Sequence, residues 1–178
     1  MPTTYTECTQ DVIDIADAVM QKHHADLLQA DVRIKWLFHI HSDGAALKNK
    51  GYPVPAKSKI HGLADRVAGT PDVTVFVDHA WWTNHDTDQC RAVIDGILAE
   101  LMLGEDDDGN TLTDDAGRPI VKRKPADYFI AGFDDVALRH GVACPNVRAV
   151  AVLTGKWIQA GLDFSGNDMR AEPVGAGK

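Results

Sequence analysis

Asp86-Thr87-Asp88-Gln89-Cys90-Arg91-Ala92-Val93-Ile94-Asp95-Gly96-Ile97-Leu98-Ala99-Glu100-Leu101-Met102-Leu103-Gly104 is the stretch on which the fold turns. Val93, Ile94, Ile97, Leu98 and Leu101 recur three and four residues apart, a spacing that gathers apolar side chains on one stripe of a helix. Asp86 and Asp88 complement the positive end of the helix dipole, and Gly104 supplies a C-terminal stop, so the spacing predicts a helix from Asp86 to Leu103.

On the N-terminal side, Val73 to Val77 is rich in β-branched residues. It follows the turn signal Gly69-Thr70-Pro71-Asp72, which predicts a strand ending near Asp78. Further back, Val12, Ile15, Ala16, Val19, Met20 and Leu27 mark an amphipathic helix from Thr9 to Leu28, with Thr9 or Thr6 as N-cap. Val32, Ile34, Trp36 and Phe38 then alternate with Arg33, Lys35 and Leu37 as in a half-buried strand, which His39 and His41 continue on its outward face. Glycines and prolines among the lysines of Ser42 to Ser58 read as a loop with short extended pieces.

On the C-terminal side, an acidic segment leads through Asp115-Ala116-Gly117 to Ile120-Val121-Lys122, consistent with a hairpin or a long irregular loop. Pro125 opens a helix running to Arg139, with Phe129, Ile130, Phe133, Val136, Ala137 and Leu138 on its apolar face and His140-Gly141 closing it. Beyond Pro145 an apolar stretch to Trp157 reads as a further short helix or strand. We expect one domain over residues 1–165 and a mobile tail over 166–178. No internal repeat is apparent.

Of 178 residues, 44% are hydrophobic and 25% charged, enough to build one packed core. The net charge of −8 argues against direct binding to a nucleic-acid backbone. No run approaches the roughly 20 apolar residues of a membrane span, and no basic segment followed by an apolar one opens the chain, so a cytoplasmic protein is expected. Cys8, Cys90 and Cys144 are odd in number and form no C-x-x-C pair, hence free thiols.

The order of these parts resembles the putative phage metallopeptidase family, small zincin-like proteins of phages and prophages. Ile15-Ala16-Asp17-Ala18-Val19 through His24 and Leu27, then Val32-Arg33-Ile34 to Phe38, are similar to that family's opening helix and strand. Val73 to Trp82 resembles its central strand and the tryptophan after it. Gln89 to Asp95 resembles the run into its H-E-x-x-H helix, and Arg123-Lys124-Pro125-Ala126-Asp127 through Phe133, Arg139-His140-Gly141 and Arg148 its closing helix. The resemblance spans roughly Val12 to Arg148 and implies an α+β fold, a small zincin-like domain of about three main helices packed on a short β-sheet.

A zinc peptidase of that kind needs histidines at i and i+4 so that both imidazoles reach one ion, and a glutamate beside the first to deprotonate the bound water. By the resemblance, Gly96 stands at the first histidine, Ile97 at the glutamate, Glu100 at the second histidine and Ala126 at a third ligand. The chain therefore reads as a degenerate member with no catalytic residues and no zinc or other cofactor expected.

Other candidates stay open beside this. Asp95, Glu100 and Asp127 are read first as solvated or hydrogen-bonded carboxylates, with magnesium or calcium ligation the sharper alternative. His39, His41, His79 and His85 would be the material of a relocated metal site. Asp106, Asp108 and Asn110 resemble the start of a calcium loop that lacks its remaining signals.

As possible interaction residues we single out Asp106, Asp107, Asp108, Asp114 and Asp115 of the acidic segment, together with Trp81 and Trp82. The expected function is that of a phage- or prophage-derived pseudoenzyme binding a macromolecule, a host or phage protein, in host takeover or counter-defence, without membrane association. The alternatives are a metal-dependent hydrolase with unrecognised ligands and an acidic nucleic-acid mimic.

Overall fold

A computed structural model of the chain describes residues 3–125, 134–143 and 145–154. The chain divides into two compact units, Met1–Ala126 and Asp127–Lys178. The first contains β1 (Thr3–Glu7), α1 (Gln10–His23), α2 (Ala25–Gln29), β2 (Ile34–His41), β3 (Lys48–Asn49), β4 (Tyr52–Pro53) and β5 (Ala56–Ile60). It continues with α3 (Leu63–Val67), β6 (Val73–Asp78), α4 (His79–Thr83), α5 (Thr87–Ala99), β7 (Leu101–Leu103) and β8 (Val121–Arg123). Within the second unit lie α6 (Asp134–His140), a short 3-10 turn (Gly141–Ala143) and α7 (Pro145–Thr154).

The main sheet has the order β1-β2-β6-β5. Its central pair β2 and β6 is parallel, and both edge strands run antiparallel to their neighbours. Trp36 and Phe38 of β2, Val73, Val75 and Val77 of β6 and Ala56 of β5 turn one face toward Val12, Ala16 and Val19 of α1 and Cys90, Ile94, Ile97 and Leu98 of α5. Each fully buried aliphatic side chain in this layer contributes about 1.5–3 kcal/mol, which holds α1 and α5 against the sheet. The α+β class expected from the sequence is the class observed.

Several elements depart from the sequence reading. The opening helix breaks at His24, whose backbone leaves helical geometry (φ −132°, ψ 48°) while its ring reaches Asp95. Thr9 occupies the N-cap without capping, its hydroxyl serving the Asp11 carboxylate instead. The helix through Gly96 ends at Ala99, not Leu103: Leu101 to Leu103 forms β7 and pairs with β8, placing Leu101 and Val121 in the core.

Within the expected loop, Ala56 to Ile60 is an edge strand of the main sheet, its alternation written in small and basic residues rather than large apolar ones. His39 lies on the face opposite Trp36 and Phe38, as the alternation predicts, but that face is covered there. His39 is buried, with Tyr5 of the unforeseen strand β1 set edge-on against it at 5.8 Å. The start of the helix expected from Pro125, at residues 126–133, and the expected tail at 166–178 lie outside the described residues.

The acidic segment contains the repeat that the sequence reading missed. Asp106-Asp107-Asp108-Gly109-Asn110 and Asp114-Asp115-Ala116-Gly117-Arg118 are two successive turns with the same hydrogen bonds. In each, the first aspartate's Oδ1 accepts from the backbone N–H two and four residues on: Asp108 and Asn110 at 3.0 and 2.8 Å, Ala116 and Arg118 at 2.9 and 3.0 Å. Gly109 and Gly117 sit at φ 81° and 73°, left-handed positions that close a three-residue hairpin. Similarity confined to five residues of turn chemistry escapes a search for repeated hydrophobic patterns.

Candidate functional site

The face that the family resemblance marks is built by α5. Asp86 and Gln89 close a capping box: Asp86 Oδ1 accepts from Gln89 N–H at 2.9 Å, and Asp86 N–H donates to Gln89 Oε1 at 3.1 Å. The helix that follows buries Cys90, Ile94, Ile97 and Leu98 and exposes Ala92, Gly96 and Ala99. Positions 96 and 100 thus lie one turn apart toward solvent, with position 97 turned into the core.

Each described position now has a definite environment. A Cβ built on Gly96 would meet no heavy atom within 4 Å, so the exposed side of the helix is open there. Ile97 is 7% exposed and belongs to the core. Glu100 is half-buried and held by Arg123 of β8, whose Nη1 contacts Oε2, while Ser58 of β5 donates its hydroxyl to the same oxygen at 3.3 Å. Arg123 Nη2 donates to Ser58 O and Ser58 Oγ, both at 3.0 Å. Asp95, one residue before Gly96, lies 2.7 Å from His24 Nε2.

These positions do not fit a zinc ion. Gly96 has no donor, Ile97 is a hydrocarbon inside the core, and the charge of Glu100 is already met by a guanidinium. Asp95 and Glu100 have separate partners and do not converge, while Ala126 and Asp127 lie outside the described residues. Among the described residues no three His, Cys, Asp or Glu side chains converge where a metal ion could sit.

The histidine candidates are dispersed. His39 and His41 rings are 6.3 Å apart, and His41 contacts Asp43. His79 stands edge-on to Phe38 at 4.9 Å. His85 stacks on Trp81 at 3.9 Å with its Nδ1 at 2.6 Å from the Trp81 carbonyl, a hydrogen bond in which the ring N–H donates. Trp82 is not available to a partner: it is buried and its indole N–H donates to Asp11 at 3.0 Å. Trp81 is half-buried and lines an open cleft of about 460 Å³ with Pro53, Pro55 and His85.

At the base of that cleft Asp78 accepts from the backbone N–H of Leu47 (2.6 Å) and Trp81 (2.9 Å), leaving it a structural carboxylate. The two described thiols, Cys8 and Cys90, are held in the protonated form. Burial, then Asp11, pushes Cys8 up to about 12, and burial raises Cys90 as well, so neither is a thiolate near neutrality.

The acidic segment divides by role. Asp106 spends its carboxylate on the turn, accepting first from the Asn110 backbone and side chain, and these bonds hold its pKa below the usual carboxylate range. Asp114 is likewise lowered, first by the Arg118 backbone N–H and further by the charges of Arg66 and Arg118. Its side chain is buried, which removes it from the interaction residues expected from the sequence: Asp114 Oδ2 lies 2.8 Å from Arg66 Nη2.

Arg66 also donates to Asp72 (3.3 Å) and to the Pro119 carbonyl (2.9 Å), and Arg118 donates to Asp72 at 2.7 Å and to the Thr70 carbonyl. Asp72 Oδ2 accepts from Arg33 N–H at 2.8 Å. This network of two aspartates and two arginines was invisible in sequence because its members are spread from position 66 to 118 with no common spacing. Glu105, Asp107, Asp108 and Asp115 remain exposed.

A mixed four-stranded sheet packed against α1 and α5 makes the first unit a small α+β domain. The chain matches the putative phage metallopeptidase family over residues 4–154 and belongs to it. No curated protein and no solved structure gives a significant match. Among the described residues no helix is long and apolar enough to cross a membrane.

Proposed function

We propose that this member of the family is a phage- or prophage-derived pseudoenzyme: it keeps the scaffold, holds no catalytic zinc, cleaves no peptide, and acts by binding a macromolecule of the host or phage. The observation that carries the reading is the chemistry of α5. By the family resemblance an isoleucine, Ile97, takes the position of the water-activating base, and it can neither accept nor donate a proton at any pH. A glycine and an arginine-paired glutamate take the positions of the two histidines. Scaffolds of this kind serve other roles because activity resides in the site and not in the fold.

The reading predicts a purified protein with far less than one zinc per chain by elemental analysis, and no turnover of a peptide library with or without added zinc. One tightly held zinc per chain, removed together with stability by a chelator, would restore the metal-dependent hydrolase. A role in host takeover or counter-defence belongs to the same proposal. Its supporting feature is the set of exposed carboxylates at the two tandem turns, Asp107, Asp108 and Asp115. Co-purification from host lysate at low salt, followed by identification of the captured species, tests it; recovery of nucleic-acid-binding enzymes as the captured class would favour the acidic mimic instead.

A further inference from the structure

We propose that Arg123 is a built-in cation: its guanidinium stands beside Glu100, the C-cap of α5, where a metal ion would otherwise sit, and excludes one. The inference rests on the reading of α5 as a helix that has lost its ligands, and it adds the residue that has taken the metal's place. Glu100 Oε2 receives Arg123 Nη1 and the Ser58 hydroxyl, so the carboxylate is neutralised by groups of the protein itself.

Arg123 is not held there by Glu100 alone. Its Nη2 donates to both the carbonyl and the hydroxyl oxygen of Ser58 at 3.0 Å. Its backbone is fixed by the pairing of β7 with β8, which sets Arg123 opposite Leu101, and by the Lys124 N–H bond of 2.7 Å to the Glu100 carbonyl. Replacing Glu100 therefore leaves the positive charge in place. A dication held by side chains at positions 96 and 100 would meet the repulsion of that guanidinium, at a half-exposed site where charges still interact appreciably.

Space, by contrast, is no obstacle. A side chain at Gly96 enters an open region, and positions 96 and 100 have the i, i+4 spacing at which two imidazoles reach one ion. Charge, not shape, is what the surroundings of this helix hold against a metal.

The test is a pair of variants, Gly96→His/Glu100→His with Arg123 retained and the same pair with Arg123→Gln, titrated with zinc alone by calorimetry after circular dichroism has verified the fold. We expect the variant without the guanidinium to bind zinc at least about tenfold more tightly, an effect of charge in a partly screened site. Equal affinities, or no binding by either folded variant, would overturn the inference while leaving the zinc-free reading of the parent untouched. Stoichiometric zinc on the parent would overturn both.

Should the histidine variants fail to fold, thermal unfolding of Glu100→Gln, Arg123→Gln and their double variant decides the matter. A double loss smaller than the sum of the single losses supports Arg123 as the counter-charge of Glu100. Additive losses exclude it.

Discussion

Two clusters of carboxylate and guanidinium differ in how deeply the chain has committed to them. Asp72 and Asp114 with Arg66 and Arg118 are almost wholly removed from solvent, Asp72 being 1% exposed, and they tie α3 and the approach to β6 to the second acidic turn. Glu100 with Arg123 is nearly half open to water on both sides. A buried network that loses a member leaves uncompensated charge in a poor solvent, whereas an exposed pair that loses one is rescued by hydration. The first cluster is thus architecture, and the second is a site where sequence can change at little cost.

The largest expected effect follows directly. Asp72→Ala takes the carboxylate partner from Arg118, leaves Arg66 with Asp114 alone and frees the Arg33 N–H, and should destabilise the fold by roughly 3–5 kcal/mol, the cost of breaking a buried ion pair from one side. Glu100→Gln should cost no more than about 1 kcal/mol. Urea unfolding of the two variants sets the ratio. Similar losses would erase the distinction between architecture and site.

The tandem turns sharpen the comparison because their hydrogen bonding is the same and their burial is not. Asp106 and Asp114 play equivalent parts, yet only Asp114 also meets Arg66. Asp114→Asn should therefore lower the unfolding temperature more than Asp106→Asn. Both carboxyls are lowered in the folded state, so each contributes stability that is complete above its unfolded pKa near 3.9 and is lost as pH falls through the folded value. The gap between parent and Asp114→Asn should accordingly close below about pH 4. A gap that persisted unchanged into acid would mean that the turn bonds do not depend on the ionised carboxylate.

Legibility in the sequence followed the same division. α1, β2, β6 and α5 were readable because each buries a periodic apolar face, and the periodicity of Val93, Ile94, Ile97 and Leu98 placed Gly96 and Glu100 on one side of a helix. The end of that helix was misread because Leu101 satisfies both the helical spacing and the register of β7 against β8, and only the partner strand decides between them. β5 and β1 escaped because Lys57, Lys59 and the threonines of an exposed edge carry little apolar signal. Arg123 and Ser58 at the candidate site could not be found locally, since they reach Glu100 from 23 and 42 positions away. The same burial shows that Ile97 is a core residue, so placing glutamate there to test the proposed loss of a base tests packing along with chemistry.

The smallest effect on the fold, and the one closest to function, concerns the tips of the tandem turns. Sequence alone would have chosen Asp106, Asp107 and Asp108 for neutralisation, but Asp106 holds its turn together and its loss would confound a binding measurement. Asp107, Asp108 and Asp115 are exposed, so Asp107→Asn, Asp108→Asn and Asp115→Asn together remove three charges and should leave the unfolding temperature nearly unchanged. If the turns steer a basic partner, its association rate should fall several-fold at low salt while dissociation changes little, because steering acts on encounter more than on the docked complex. The effect should vanish toward 1 M salt, where the Debye length shrinks from about 10 Å at 0.1 M to about 3 Å. Surface plasmon resonance against the captured partner reads both rates, and an association rate unchanged at low salt would reduce these carboxylates to solvated turn residues.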